Sequence, residues 1–244
     1  MVSFDRVANI YDATRSLKPA VMREVIDELA RFIDGSSVLD VGVGTGRIAA
    51  PLAELGLDVA GIDISVPMIG QARDKGMTGL AISDAEFVPF RSQSFDYAMV
   101  THFMHLLKDW KAVVREIERV TTKGLVAVVN DPEGSRPRDM YVRLREKRGF
   151  PMTGLKLGER DMIGMVAPSL TLKLADYREE FDPGQLMDEY AAKLHSITWD
   201  VPEQVNAQIV EEMRSRLGAK RELERSVELA VWRRDQLRRF YPFP

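Results

Sequence analysis

The chain has 244 residues, with 34 Lys and Arg against 37 Asp and Glu and a formal net charge of −3. That length holds one large α/β domain, or a domain with a modest cap, and the slightly acidic balance argues against nucleic acid as the main partner. With no cysteine there is no disulfide, thiolate metal site or cysteine nucleophile, and no stretch approaches the ~18 apolar residues of a membrane helix.

The opening Met1-Val2-Ser3-Phe4-Asp5-Arg6 lacks the apolar core of a signal peptide, which makes the cytoplasm the expected location. Residues from about 4 to 33 carry two apolar stripes at helical spacing. Phe4, Val7, Ala8 and Tyr11 form the first; Val21, Val25, Ile26, Leu29 and Phe32 form the second, whose helix begins at Pro19. A short apolar strand at 38–41 then enters a turn with glycine at every second residue, Gly42, Gly44 and Gly46. Glycine tolerates positive φ there and lets the backbone approach a ligand with no Cβ in the way. The run from about 46 to 55 has helical periodicity and Gly56 supplies a stop, so the turn faces a helix N-terminus and its free N–H groups.

Two features separate this turn from the dinucleotide fingerprint G-x-G-x-x-G. The third glycine comes one residue early, with Arg47 in the place it would need, and Asp40 stands two residues before the first. A carboxylate repels a pyrophosphate but attracts an ammonium or sulfonium, so the pattern points to a cationic nucleoside. A turn that only links strand to helix is the alternative.

The second strand, 57–64, ends in Asp63, 23 residues beyond Asp40. In an open α/β sheet, ligands lie outside the strand carboxyl ends where the winding reverses, and an acid there can accept both hydroxyls of a ribose. A solvated strand end with little part in stability is the other reading of Asp63. Ser65 and Pro67 open a helix to about Lys75, and Leu80-Ala81-Ile82 forms a third strand, followed by Ser83-Asp84-Ala85-Glu86. The fourth strand, 95–100, ends at Thr101-His102; a helix at about 108–121 turns Trp110, Val113, Val114, Ile117 and Val120 inward; the fifth strand is 124–129. Beyond 130 the alternation loosens into helices at 135–148 and 158–166, a strand from 170 extending to 181, a helical stretch at 183–217 broken near 200–202, and a last strand at 226–234.

This order implies an α/β fold: a doubly wound, mostly parallel seven-stranded sheet with right-handed crossovers and a helical cap insertion. The expectation is a single domain over 1–244 with a cofactor-binding core at 34–130. N-terminal helices at 1–33 serve as a partial lid, and the cap insertion spans 183–217.

Four sites in order resemble the class I S-adenosylmethionine-dependent methyltransferases. They are the loop Asp40-Val41-Gly42-Val43-Gly44-Thr45-Gly46, the strand end Gly61-Ile62-Asp63-Ile64-Ser65, the segment Asp84-Ala85-Glu86-Phe87-Val88-Pro89-Phe90, and Ser94-Phe95-Asp96-Tyr97-Ala98-Met99-Val100. The leader Phe4-Asp5-Arg6-Val7-Ala8-Asn9-Ile10-Tyr11-Asp12 resembles that of the ubiquinone/menaquinone-methyltransferase-like (methyltransferase type 11) branch, whose helix closes over the cofactor. The likeness covers residues from about 4 to 130 and implies a Rossmann-like methyltransferase fold with S-adenosyl-L-methionine as cofactor. It also implies that the strand-end acid binds the ribose, that Asp84 lies by the adenine amino group, and that Ala85 supplies backbone there. The implied cofactor-binding set is Tyr11, Asp40, Gly42, Val43, Gly44, Gly46, Asp63, Ile64, Met68, Asp84, Ala85, Glu86 and Thr101. Asp84 as an ordinary turn residue and Asp40 as a cap of the glycine turn stay open.

A sulfonium methyl is already activated, so the protein has mainly to align the reactants and exclude water, and no protein nucleophile is required. His102 and His105, after the fourth strand, are candidates to take a proton from a hydroxyl or amine acceptor, or are hydrogen-bonded structural residues. Tyr190, His195 and Trp199 in the cap either line an acceptor pocket or pack the insertion. Three histidines without paired spacing make no metal site, and the arginines at 233, 234, 238 and 239 read as a solvated strand face and tail rather than a basic patch. The expected function is in-line methyl transfer to a small-molecule acceptor. A protein or RNA methyltransferase of the same fold, an NAD-dependent oxidoreductase and a non-catalytic binding module are the alternatives. Thr101-His102-Phe103-Met104 stands where an Asn-Pro-Pro-aromatic signature would mark methylation of nucleic-acid amino groups. The acceptor's nucleophile and the oligomeric state are not legible.

Overall fold

The computed structural model describes residue 12 and residues 17–130, 135–152 and 158–241. Seven strands share one sheet in the order β3-β2-β1-β4-β5-β7-β6. They are β1 (Val38–Val41), β2 (Val59–Asp63), β3 (Leu80–Ile82), β4 (Phe95–Thr101), β5 (Thr121–Asn130), β6 (Leu170–Phe181) and β7 (Arg221–Arg233). β1 pairs in parallel with β2 and β4, β2 with β3, and β4 with β5. The chain lays down β1, β2 and β3 outward in one direction, then returns to place β4 on the other side of β1. The winding therefore reverses between β1 and β4, and the carboxyl ends of these two strands flank the crevice that such a reversal opens.

Local chemistry sets the element ends. All four residues of β1 are buried, as a central parallel strand covered on both faces requires. Ser65 caps the helix Val66–Asp74 by accepting the Met68 N–H, and Asp109 caps the helix Trp110–Val120 by accepting that of Ala112. The latter buries Trp110, Val113, Val114, Ile117 and Val120 along one face. These join the aliphatic core with Leu39, Val41, Ala98, Val100, Leu125 and Ala127.

Three boundaries differ from the sequence expectation. The helix after the glycine turn runs only Ala49–Glu54, because Gly44 and Gly46 sit at φ +56° and +72°, outside the helical region, and keep residues 44–47 in the turn. β5 follows the helix Trp110–Val120 directly, beginning at Thr121, whose hydroxyl donates back to the Ile117 carbonyl. Gly124 is thus inside the strand at φ +144°, and a Cβ there would lie 2.1 Å from the Trp232 carbonyl oxygen, so only glycine lets β7 approach. β7 itself begins five residues before the expected 226. Its first residues, Arg221-Glu222-Leu223-Glu224-Arg225, show no apolar face. They pair with β6 in the sheet, and across that pairing Glu224 meets Arg178 and Arg225 meets Glu179.

The chain divides into two compact units. The first comprises Met1–Val129, Gly154–Ala175 and Val227–Pro244; the second comprises Asn130–Thr153 and Asp176–Ser226. In the second, the segment expected as a cap shares its core with the helix Ser135–Lys147. Tyr141 and Leu144 pack with Met187, Tyr190, Ile197, Ile209, Val210 and Met213. Its helical stretch is interrupted more widely than expected, into Pro183–Ala191, a short 3₁₀ turn at Ser196–Thr198, and Glu203–Arg214. In the first unit, Arg234 and Arg238 bind Glu118 through its carbonyl and carboxylate, and Tyr241 donates to the same carboxylate, which ties the end of the chain to the helix Trp110–Val120.

Candidate active site

The glycine turn is shaped by β2. Gly42 and Val43 both donate their N–H to the Ile62 carbonyl at 2.9 Å, and Gly46 donates to Val43 at 3.0 Å. Asp63, at the end of β2, accepts the Gly44 N–H at 3.0 Å with one carboxylate oxygen and the Ser65 N–H at 2.8 Å with the other. Amide donors of this kind suit a carboxylate acceptor. Asp63 is therefore more than a solvated strand end: it fixes the turn.

Asp40 is in the opposite condition. It is 4 % exposed and accepts no hydrogen bond among the described residues. Burial, reinforced by the Asp63 carboxylate and only partly offset by Arg47, pushes its carboxyl up to about 7. In register it lies opposite Met99 of β4. Thr101, two residues further along, shares that face, and its hydroxyl is buried with no hydrogen-bond partner among the described residues. A largely buried carboxyl, and a hydroxyl that is fully buried and without a partner among the described residues, thus stand at the ends of the two strands where the winding reverses. Such groups normally find partners, so the pair fits a ligand group rich in N–H donors.

Gly42, at φ +79°, lies beneath Phe103: a Cβ there would come within 2.2 Å of the ring. The chain around Phe103 is unusual too. His102 is exposed in the left-handed region at φ +51°, and a 3₁₀ turn over Met104–Leu106 carries His105, half-buried. The acid Glu159, 6 % exposed, accepts the N–H groups of Phe103 and Met104 at 2.6 and 3.0 Å. It begins the helix Glu159–Met165. In sequence, Gly158-Glu159-Arg160-Asp161 reads as a solvated helix start, and only its burial reveals this contact.

The other expected residues fall as follows. Asp84 accepts the Glu86 N–H at 3.0 Å in a turn whose Ser83 N–H reaches the Asp63 carbonyl at 3.0 Å, so this segment abuts the end of β2. Ala85 is buried, Glu86 half-buried and Phe87 exposed. Val43 and Met68 are buried and Ile64 half-buried, the Met68 N–H being taken up by Ser65. Tyr11 lies outside the described residues, as does most of the leader. Its Asp12 is described, and it receives the Thr45 hydroxyl at 2.6 Å and the Lys75 ammonium, which itself also donates to the Thr45 carbonyl at 2.8 Å. Burial opposes the charge on Asp12, but the bonds from Lys75 and Thr45 together hold its carboxyl below the ordinary range.

Tyr190 and His195 are brought together in the second unit, their rings 4.8 Å apart and edge-to-face, with Tyr141 on the other side of Tyr190 at 5.1 Å. Tyr190 is 2 % exposed, His195 is bonded to Glu189 at 2.8 Å, and the Trp199 indole donates to the Lys193 carbonyl at 2.8 Å. Among the described residues no group of three or more His, Asp or Glu is placed to hold a metal ion, and no helix is long and apolar enough to cross a membrane.

Residues 39–129 match the family model of a methyltransferase domain. The chain is 33 % identical over 147 residues to a demethylmenaquinone methyltransferase of Renibacterium salmoninarum, covering 57 % of this chain and 62 % of that protein. It is 31 % identical over 140 residues to a malonyl-[acyl-carrier protein] O-methyltransferase of Salmonella typhimurium, covering 55 % and 54 %. The chain thus spans little more than half the length of these relatives. A solved structure from Thermotoga maritima, described as a SAM-dependent methyltransferase and possible histamine N-methyltransferase, superposes with a TM-score of 0.52. It covers 93 % of this chain and 97 % of that one at 18 % identity, a likeness of fold.

Proposed function

Because residues 39–129 form a methyltransferase domain, we propose that this chain transfers a methyl group from S-adenosyl-L-methionine to a small-molecule acceptor. The observation that carries the cofactor side is Asp40, a buried carboxyl with no donor among the described residues, beside a glycine turn held at positive φ. The cofactor, when bound, supplies an activated methyl on a sulfonium sulfur. The chain's own residues then do the binding. Asp40 and the Thr101 hydroxyl meet the ammonium group. Asp63, whose bonds from Gly44 and Ser65 hold the turn, meets the ribose hydroxyls. Asp84 and Ala85 border the adenine. A pyrophosphate would instead set two negative groups near Asp40, which disfavours a dinucleotide.

On the acceptor side, His102 and His105 follow β4 and stand on the segment that Glu159 anchors. There they can take the proton that an oxygen or nitrogen acceptor loses. A small molecule is favoured over nucleic acid by the net charge of −3 and by Thr101-His102-Phe103-Met104 after β4; the demethylmenaquinone methyltransferase relative is named for an acceptor of that class.

Titration calorimetry tests the proposal. S-adenosylmethionine and S-adenosylhomocysteine should both bind, and NAD should not. Binding of NAD without either S-adenosyl compound would overturn it.

A further inference from the structure

We propose that Glu159 is a positioning residue for the cofactor and acceptor ends of this site, acting from a helix outside the matched domain at 39–129. The proposal rests on the methyltransferase reading above. The first N–H groups of a helical turn have no partner within the turn and must find one elsewhere. For the 3₁₀ turn Met104–Leu106 no side chain of its own residues caps that end. Glu159 supplies the cap from 55 residues away, one oxygen accepting from both Phe103 and Met104. Two charge-assisted bonds to adjacent amides fix the direction of the backbone there. That direction places the two groups that matter. It carries His102 through its left-handed φ of +51° immediately before the bonded amides, a conformation a non-glycine residue keeps only when its surroundings dictate it. It also presses the Phe103 ring onto Gly42, the first glycine of the turn, where no Cβ fits. One buried carboxylate therefore sets the segment after β4 and, through one ring, the glycine turn after β1.

Two variants separate reach from charge. Glu159→Gln keeps the length and an oxygen that can accept both amides; Glu159→Asp keeps the charge but withdraws it by one methylene. Affinity for S-adenosylhomocysteine is measured by calorimetry well below each melting temperature, alongside the ¹⁵N–¹H signals of Phe103, Met104, Gly42 and Gly44. We expect Glu159→Asp to weaken binding by about tenfold, the order of one lost hydrogen bond to a charged group, with the Gly42 and Gly44 signals shifted. Glu159→Gln should stay within about threefold of the wild type. A purely structural role would lower the melting temperature of Glu159→Asp and leave its affinity and the glycine signals unchanged, and that result overturns the inference. Failure of the wild-type chain to bind S-adenosylhomocysteine would instead overturn the cofactor reading, and this inference with it.

Discussion

Asp40 and Asp63 are the same residue type at the ends of neighbouring strands, and their surroundings give them opposite states. Asp63 holds the amides of Gly44 and Ser65; Asp40 has no donor among the described residues, and burial pushes its carboxyl up to about 7. The consequence for stability has a definite sign. An unfolded Asp ionises near its ordinary value while the folded Asp40 keeps its proton. Its contribution to stability is therefore fully present below that value, declines as pH rises, and is gone above about 7. Asp63 on β2 and Arg47 in the turn are the charged groups facing it, the first raising and the second lowering its pKa. Asp40→Asn cannot ionise and keeps the shape. It should melt higher than the wild type at pH 8, with the advantage shrinking toward pH 4, while affinity for S-adenosylmethionine falls by roughly 1.5–3 kcal/mol as the ammonium loses a charged partner. Melting curves across that range and calorimetry at pH 8 check both. A pH-independent difference in melting would show that Asp40 is ionised throughout.

The elements from β1 to β5 were legible because their signals are local. Buried β-branched runs, a Ser65 or Asp109 cap and a period of 3.6 each need only a few neighbouring residues. For β5 and β7, where the boundaries differ, the cause is non-local. The first residues of β7 are charged and alternate with no apolar face, so nothing in Arg221-Glu222-Leu223-Glu224-Arg225 distinguishes a tail from a strand that pairs its charges with β6. The site divides in the same way. Asp40, the three glycines and Asp63 announce themselves by spacing, whereas Glu159 makes its contacts 55 and 56 residues away. Gly124 belongs to this second class: it looked like a strand start and is a crossing point. Gly124→Ala would place a methyl 2.1 Å from a backbone oxygen of β7 and force a φ of +144° on a residue that resists it. Neither backbone can yield cheaply, so the loss should exceed about 3 kcal/mol, the range of overpacking and strain combined. Denaturant midpoints measure it; a loss under 1 kcal/mol would mean that β5 and β7 can separate there.

The whole molecule draws on two kinds of stabilisation. The first unit buries the acids Asp40, Glu118 and Glu159 beside its apolar cluster. The second unit is organised by a buried cation. Arg145, 1 % exposed, donates to the carbonyls of Phe150, Ile197 and Pro151 at 2.6, 2.7 and 3.3 Å and to the Asp200 carboxylate at 2.6 Å. One guanidinium thereby joins the end of the helix Ser135–Lys147 to the turn before the helix Glu203–Arg214. Asn206 repeats the device, accepting from the Tyr141 hydroxyl and donating to the Tyr190 carbonyl at 3.0 Å. Burial, with Asp200 adding and Arg145 opposing, pushes the Tyr141 hydroxyl up to about 12, so it remains a donor at any physiological pH. Arg145→Met fills similar volume but leaves three carbonyls without their donor, which should destabilise this unit by roughly 3 kcal/mol or more. Hydrogen exchange then reads how far the damage spreads. If the units open independently, amides of the helices Pro183–Ala191 and Glu203–Arg214 lose protection while those of β1, β2 and β4 keep it, and affinity for S-adenosylhomocysteine is retained. Equal loss of protection in both sets would show instead that the two units unfold as one cooperative body.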